Sequence, residues 1–209
     1  MTAIGRSTVR HIHGLPSRSG AIELAWHGVT HVGYRRAHNE DSYLADVPLF
    51  AVADGMGGHL HGDRASDAVV RRLQAAATGD FVGRDEIADA LHRATWDIHD
   101  LDEEERGIGT TVTGVALSAD DTGARLTVFN VGDSRVYAFT GNELSQVTVD
   151  HSLVQELVAA GEIAAEDADA HPEANVITRA VGFSLEPDSV SCLMTWKYSS
   201  DASSLPDAD

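Results

Sequence analysis

Two short stretches place a carboxylate at the end of an apolar run, and a third sets an acidic pair just before one, where they could hold a hard divalent cation. In Leu49–Gly58, LFAVADGMGG, the apolar run stops at Asp54 and breaks into Gly55, Gly57 and Gly58. Leu49 to Ala53 is too short for a helix and reads as a buried strand. The glycines let the backbone turn sharply after it. A carboxylate on a rigid strand end, beside exposed backbone carbonyls, offers the all-oxygen ligands that such a cation takes. Upstream, Gly33–Asp41 reads GYRRAHNED and sets Arg36, Asn39, Glu40 and Asp41 shortly before the run. Downstream, Phe129–Arg135, FNVGDSR, repeats the strand-to-Gly-Asp junction at Asp133.

Each stretch alone has plainer readings. Asp-Gly is a common turn dipeptide, and an acidic pair such as Glu40-Asp41 is ordinary solvated surface. A glycine-rich loop that opens a helix can also cradle a phosphate. Asp54 argues against that cradle, because its charge would repel a bare phosphate, and GMGGHLHG lacks the Lys-Ser/Thr of a P-loop.

The elements that must position these groups follow from periodicity. From Asp63 the apolar spacing becomes helical, with Ala65, Val69, Leu73 and Ala76 on one face. A second helix spans roughly Asp85–Leu101, with Ile87, Leu91, Ala94 and Ile98 on one face and Trp96 assigned to packing. A Thr-rich strand, GTTVTGVAL at Gly109–Leu117, leads to the turn Asp120-Asp121-Thr122-Gly123. Thr140–Glu143 marks a hairpin turn, and Ser152–Ala160 reads as a short helix that Gly161 ends. In an extended segment Arg35 is expected to point away from Arg36 and so to serve as its control. Residues 1–21 read as a polar, flexible arm in which His11-Ile12-His13 is solvated.

Composition bounds the rest. A chain of 209 residues with 43% hydrophobic content fits one globular domain. The net charge of −18, with acids concentrated at 100–105 and through 162–173, speaks against nucleic acid or an anionic membrane as partner. Cys192 is the sole cysteine, so no intrachain disulfide forms, and it reads as a small core residue. No stretch approaches the ~18 apolar residues of a membrane span, and Met1–Ala21 has no apolar signal core. A cytoplasmic protein is expected. Among 15 basic side chains only Lys197 is lysine, which points to a GC-rich bacterial source.

Taken together and in order, the motifs resemble one family: the metal-dependent protein serine/threonine phosphatases of type 2C (the PPM family), in their compact bacterial form. The matching blocks are Gly33-x-x-Arg36-x-x-Asn39-Glu40-Asp41, then Ala53-Asp54-Gly55-Met56-Gly57-Gly58-His59, Gly109-Thr110-Thr111 and Val131-Gly132-Asp133-Ser134-Arg135. The segment from Asp150-His151-Ser152 to Ala160-Gly161-Glu162-Ile163 follows, then Asn175–Gly182, NVITRAVG. The resemblance covers roughly Leu24–Asp188. It implies an α/β (α+β layered) sandwich of two antiparallel sheets flanked by helices, with two or three Mn²⁺ or Mg²⁺ ions in a cleft at one end. By the same resemblance Asp54 would bridge the two central metals, and the Gly55 carbonyl would ligate one. Glu40 and Asp41 would bind a metal directly or through water, Arg36 would grip the substrate phosphate, and Asp133 would hold an accessory third metal. Asp150–Ile163 would begin a mobile flap.

The chemistry agrees. A phosphomonoester is dianionic and needs local cations in so acidic a chain; two metal ions can clamp it and acidify a shared water. An Arg fork matches phosphate oxygens bidentately. The leaving group needs a proton, for which metal-bound water or His59 are candidates, Met56 standing where many eukaryotic relatives have histidine. The expected activity is hydrolysis of phosphoserine and phosphothreonine on phosphorylated proteins, targets of a bacterial Ser/Thr kinase. The alternative is a catalytically impaired fragment that acts as a phosphoprotein-binding or regulatory module.

The end of the chain departs from the family pattern. After Pro187-Asp188 the family continues with an apolar strand into Ser-Asp-Gly, a later Asp-Asn and a final strand, whose aspartates complete the second metal's shell. Ser189–Asp209 reads SVSCLMTWKYSSDASSLPDAD instead. Ser200-Asp201 is followed by alanine, and Asp201 is not expected to be a ligand. The expected organisation is therefore an arm at 1–21, an incomplete catalytic domain at 22–188 and a divergent polar tail at 189–209. From this follow an open sheet edge, weakened metal binding, low activity and a tendency to aggregate, with a monomer as the stable form.

Overall fold

The apolar run ending at Asp54 lies in the interior of a seven-stranded sheet. The computed structural model describes residues 1–5, 8–13, 21–57, 61–101, 107–120, 123–183 and 193–197. Gly58, His59, Asp121, Thr122, Asp188, Cys192 and Asp201, and with them His59's candidacy as general acid, lie outside the described residues.

Strand β1 (Ala3–Gly5) lies at one edge and pairs in parallel with β4 (Asp41–Asp46). Then follow β5 (Leu49–Met56), β7 (Val112–Asp120), β8 (Gly123–Val131) and β11 (Leu193–Lys197), each antiparallel to its neighbour. The short β6 (Gly109–Thr110) pairs with the end of β5. Alternation along β5 gives the sheet two apolar faces: Leu49, Ala51 and Ala53 are buried on one side, while Phe50 and Val52 face the other.

Helices α1 (Gly62–Ala76) and α2 (Arg84–Leu101) cover the first face. Their predicted stripes are the observed ones. Ala65, Val69, Leu73, Ile87, Leu91, Ala94 and Ile98 are buried in one cluster with Leu49, Ala53 and Val112. Burial is worth about 1.5–3 kcal/mol for each large aliphatic side chain, so the helix pair fixes the sheet whose strand ends carry the carboxylates. Trp96 departs from the expected packing: it stands 56% exposed, edge-on to His99.

The second face is approached by two separate ribbons, β2 (Thr8–His13) with β3 (Ala21–Trp26), and β9 (Tyr137–Thr140) with β10 (Glu143–Gln146). The Trp26 ring meets Phe50 edge-on at 5.2 Å, and its Nε1 donates to the Ala45 carbonyl at 2.9 Å. A cavity of about 620 Å³, lined by Trp26, Tyr43, Phe50, Val52 and Leu126 among others, separates this ribbon from the sheet. The α/β layering expected from the sequence is thus present, with the second sheet represented among the described residues by two ribbons. No helix among these residues is long and apolar enough to cross a membrane.

The two ends differ from expectation. The arm assigned to 1–21 contains β1 and β2, and the Thr2 N–H donates to Ser42 Oγ at 2.9 Å. A three-residue strand is held by main-chain bonds to an edge and carries too little periodicity to be read from sequence. In the tail assigned to 189–209, Leu193–Lys197 forms β11 and covers the edge of β8, with Leu193 opposite Phe129 and Lys197 opposite Arg125. Strand β8 is therefore paired, and β11 stands last in the sheet among the described residues. Leu, Met, Thr and Trp suit a strand; the terminal Lys197 masked that pattern. The smaller elements agree. Helix α3 (Leu153–Ala159) is capped by Ser152, whose Oγ accepts from Gln155 N, and it is ended by Gly161 at φ 73°.

Candidate active site

Register decides the site. In the antiparallel pair of β4 and β5, Asp41 lies directly opposite Asp54. Such cross-strand neighbours have their Cβ atoms within ~4.5–5.5 Å on one face, and like charges there repel. The effect is visible in Asp54, whose carboxyl is pushed up to about 6. Loss of water in the cleft is the main cause, followed by the charge of Asp41 and a hydrogen bond between the two carboxyl groups. Arg36 pulls the other way, and the charge of Asp133 adds to the rise. Residues from two other stretches of sequence thus act on the one carboxylate at Asp54.

Each neighbour is held by its own element. Arg36 Nη1 stands 3.8 Å from Glu40 Oε2. The Glu40 carbonyl accepts from Ser66 Oγ at 2.6 Å and from Gly55 N at 3.3 Å, which ties the segment before β4 to α1 and to the end of β5. Gly55 must be glycine, because a Cβ there would lie 2.0 Å from the Gly62 carbonyl oxygen and 2.7 Å from that of Glu40. The start of α1 therefore packs directly against the strand end that follows Asp54.

Thr111 joins the two Gly-Asp junctions. Its N–H donates to the Asp54 carbonyl at 2.9 Å, and its Oγ1 accepts from Asp54 N at 3.2 Å. The same hydroxyl lies 2.8 Å from Ser134 Oγ, next to Asp133. The Asp133 loop is held from its other side as well. Gly132 N donates to His151 Nδ1 at 3.0 Å, and Arg135 Nε donates to the buried Asp150 carboxylate at 2.7 Å. Burial, reinforced by nearby Arg179, keeps the His151 pKa below its ordinary value, consistent with the acceptor role of Nδ1. Replacing Thr111 by valine should cost about 1–3 kcal/mol of stability, the penalty for leaving buried hydrogen-bonding groups unpaired. Urea unfolding checks this; an unchanged midpoint would show that the hydroxyl links nothing.

Arg36, Glu40, Asp41 and Asp54 line one cavity of about 440 Å³, together with Tyr34 and Arg35. The structure therefore corrects the expected role of Arg35 as a control pointing away from Arg36. Gly33 adopts φ 77° and opens a turn over Gly33–Arg35, so the alternation of an extended segment does not apply. Asp133 reaches the site through its charge on Asp54 and does not line this cavity. From sequence, Thr111 and Ser134 had no role and Asp150 and His151 only a place at the start of a mobile flap, whereas both of the latter are buried and bonded to the Asp133 loop. Only the hydrogen bonds between loops reveal what they do.

The donor set fits a hard divalent cation in part. Asp41, Asp54, Glu40 and the Gly55 carbonyl offer oxygen only, which suits Mg²⁺ or Mn²⁺ with waters completing the shell. The raised Asp54 carboxyl, beside Asp41, marks a place where a cation would be favoured. Among the described residues, no three His, Cys, Asp or Glu side chains converge closely enough to hold an ion unaided.

Comparison with known proteins places this arrangement. The Protein phosphatase 2C family model matches residues 28–184. The serine/threonine protein phosphatase PstP of Mycobacterium tuberculosis is 40% identical over 162 residues, 74% of this chain and 30% of that protein. The serine/threonine phosphatase stp of Listeria welshimeri is 37% identical over 164 residues, 72% of this chain and 64% of its own length. The chain thus spans less than two thirds of either relative. Among solved structures, the PPM Ser-Thr phosphatase MsPP from Mycobacterium smegmatis, in complex with cacodylate, superposes with a TM-score of 0.65 at 36% identity. That match covers 74% of this chain and 65% of MsPP. The catalytic domain of PstP in complex with two manganese ions gives a TM-score of 0.61 at 31% identity, over 85% of this chain and 66% of that one. On sequence and fold alike, the chain belongs to the protein phosphatase 2C family.

Proposed function

We propose that the chain hydrolyses phosphoserine and phosphothreonine on proteins with the help of Mn²⁺ or Mg²⁺. The observation that carries the reading is the Asp41–Asp54 pair, set opposite in register and facing the same cavity as Arg36. Asp54 and Asp41 would hold the cation, with the Gly55 carbonyl and Glu40 completing its shell directly or through water. Asp133, on its own loop, would serve an accessory ion. When bound, such ions supply positive charge for the phosphate and a water of lowered pKa. The chain's own contribution is orientation. Arg36 presents a planar fork to the phosphoryl oxygens, and its ion pair with Glu40 keeps that fork at the cavity. Thr110 and Thr111 hold the Asp54 backbone through main-chain and hydroxyl bonds, so the carboxylate pair stays in register. The partners in this reading are phosphorylated targets of a bacterial Ser/Thr kinase, and the compartment is the cytoplasm.

Phosphate release from a phosphothreonine peptide, in Mn²⁺ and in a chelator, tests the proposal. Release that depends on the metal is expected; none under either condition, or equal release in both, would overturn it. A second expectation separates the ions. Asp133→Ala should remove the weakest Mn²⁺ binding step in calorimetry while the stronger binding persists. Loss of all binding, or of none, would contradict the accessory role.

A further inference from the structure

One side of the cleft, residues 31–39, is free of acids and carries two arginines in an otherwise strongly acidic chain. Asp and Glu outnumber Lys and Arg by 33 to 15 overall. From 31 to 39, however, there is no acid, while Arg35, Arg36, His31 and His38 fall there and line the cleft. Arg35 and Tyr34 line the cavity that holds Asp41 and Asp54. Arg36 is engaged with Glu40. Arg35 is exposed and makes no ion pair among the described residues. Tyr34 is fully exposed, its ring 6.1 Å from that of His31.

One phosphate uses one guanidinium fork. A second fork on the adjacent residue, its Cα ~3.8 Å away, faces whatever lies next to the phosphate on the substrate. It does so in a strongly acidic protein, where an uncompensated cation acts on charges within about a Debye length, ~8 Å at physiological salt. A tyrosine ring beside it offers amphipathic contact area with little conformational freedom to lose.

We infer that Arg35 and Tyr34 form a subsite for the residues flanking the phosphorylated one, and that the preferred substrates are phosphopeptides with a second anionic group, a carboxylate or another phosphate, within a residue or two. The inference rests on the phosphatase reading of the site. Arg35 reads the charge, and Tyr34 packs against the peptide whatever its charge.

The test compares kcat/KM on phosphothreonine peptides with alanine, aspartate or phosphoserine flanks, and on p-nitrophenyl phosphate, which has none. The intact chain should prefer the aspartate-flanked over the alanine-flanked peptide by roughly tenfold at low salt, equivalent to about 1.4 kcal/mol, and by less at high salt. The phosphoserine-flanked peptide shows which anion is read better. Arg35→Ala should collapse the preference, and Tyr34→Ala should lower all peptides relative to p-nitrophenyl phosphate. No preference in the intact chain, or an equal loss on every substrate in Arg35→Ala, would overturn the subsite. The same peptides made as non-hydrolysable difluoromethylene phosphonates, followed by fluorescence anisotropy, separate the two readings. Arg35-dependent preference without phosphate release keeps the subsite and removes the phosphatase. Anisotropy without preference, or no binding, removes the subsite whatever the turnover.

Discussion

Replacing Asp54 by asparagine should abolish metal-dependent phosphate release and yet make the metal-free protein more stable above neutral pH. The folded protein raises the Asp54 carboxyl from 3.8 to about 6. Between those values the folded state binds more protons than the unfolded chain, so stability falls as pH rises. The contribution is fully present below 3.8 and lost as pH rises through about 6. At pH 8 the metal-free protein bears the cost of an ionised Asp54 in its desolvated place beside Asp41, a penalty that asparagine escapes. A cation bound between Asp54 and Asp41 would relieve the same penalty, so Mn²⁺ should raise the melting temperature of the native chain at pH 8 far more than that of Asp54→Asn. Turnover should fall by more than about a hundredfold, the upper end of what loss of an outer-shell partner costs a metal site. Thermal scans at pH 5 and pH 8, with Mn²⁺ and with chelator, make the check. A variant stabilised by Mn²⁺ as much as the native chain would mean that Asp54 is not a ligand.

Arg36→Ala should raise KM for phosphorylated substrates by roughly tenfold to a hundredfold, the range expected for a lost charge-assisted fork. The fall in kcat should be smaller if Arg36 grips phosphate equally in ground and transition states. Lysine at the same position should restore little, because it offers a point charge and not a fork. A large fall in kcat with unchanged KM would instead place Arg36 in transition-state stabilisation alone. Since Arg35 lines the same cavity, it is no neutral control; a distant exposed arginine such as Arg93 serves that purpose.

What could be read in advance depended on the range of the interactions involved. Local patterns sufficed for β5 and for the buried faces of α1 and α2, because a single period fixes which side chains are covered. The acidic junctions at Asp41, Asp54 and Asp133 were also visible, as residue types at strand ends. Their meeting was implied only by the family resemblance and by no local pattern. The pairing of Asp41 with Asp54 is a fact of register between strands, and a one-residue slip would have separated them. Arg35 was misplaced because the alternation rule assumes extended backbone, and a single residue, Gly33 at φ 77°, breaks it. The short strands β1 and β11 escaped notice for a related reason: their stability comes from the edges they pair with, Tyr43–Ala45 and Arg125–Phe129, which lie far away in sequence. Thr111, which ties Asp54 to Ser134, was legible only as a strand-forming threonine.

The central claim is that the Asp41–Asp54 pair is a cation site, and Mn²⁺ calorimetry at pH 7.5 on the native chain, Asp41→Asn and Asp54→Asn tests it most directly. The account predicts heat of binding for the native chain, loss of its stronger step in Asp54→Asn and marked weakening of that step in Asp41→Asn, with circular dichroism unchanged in both variants. Native-like Mn²⁺ binding by both variants would contradict it.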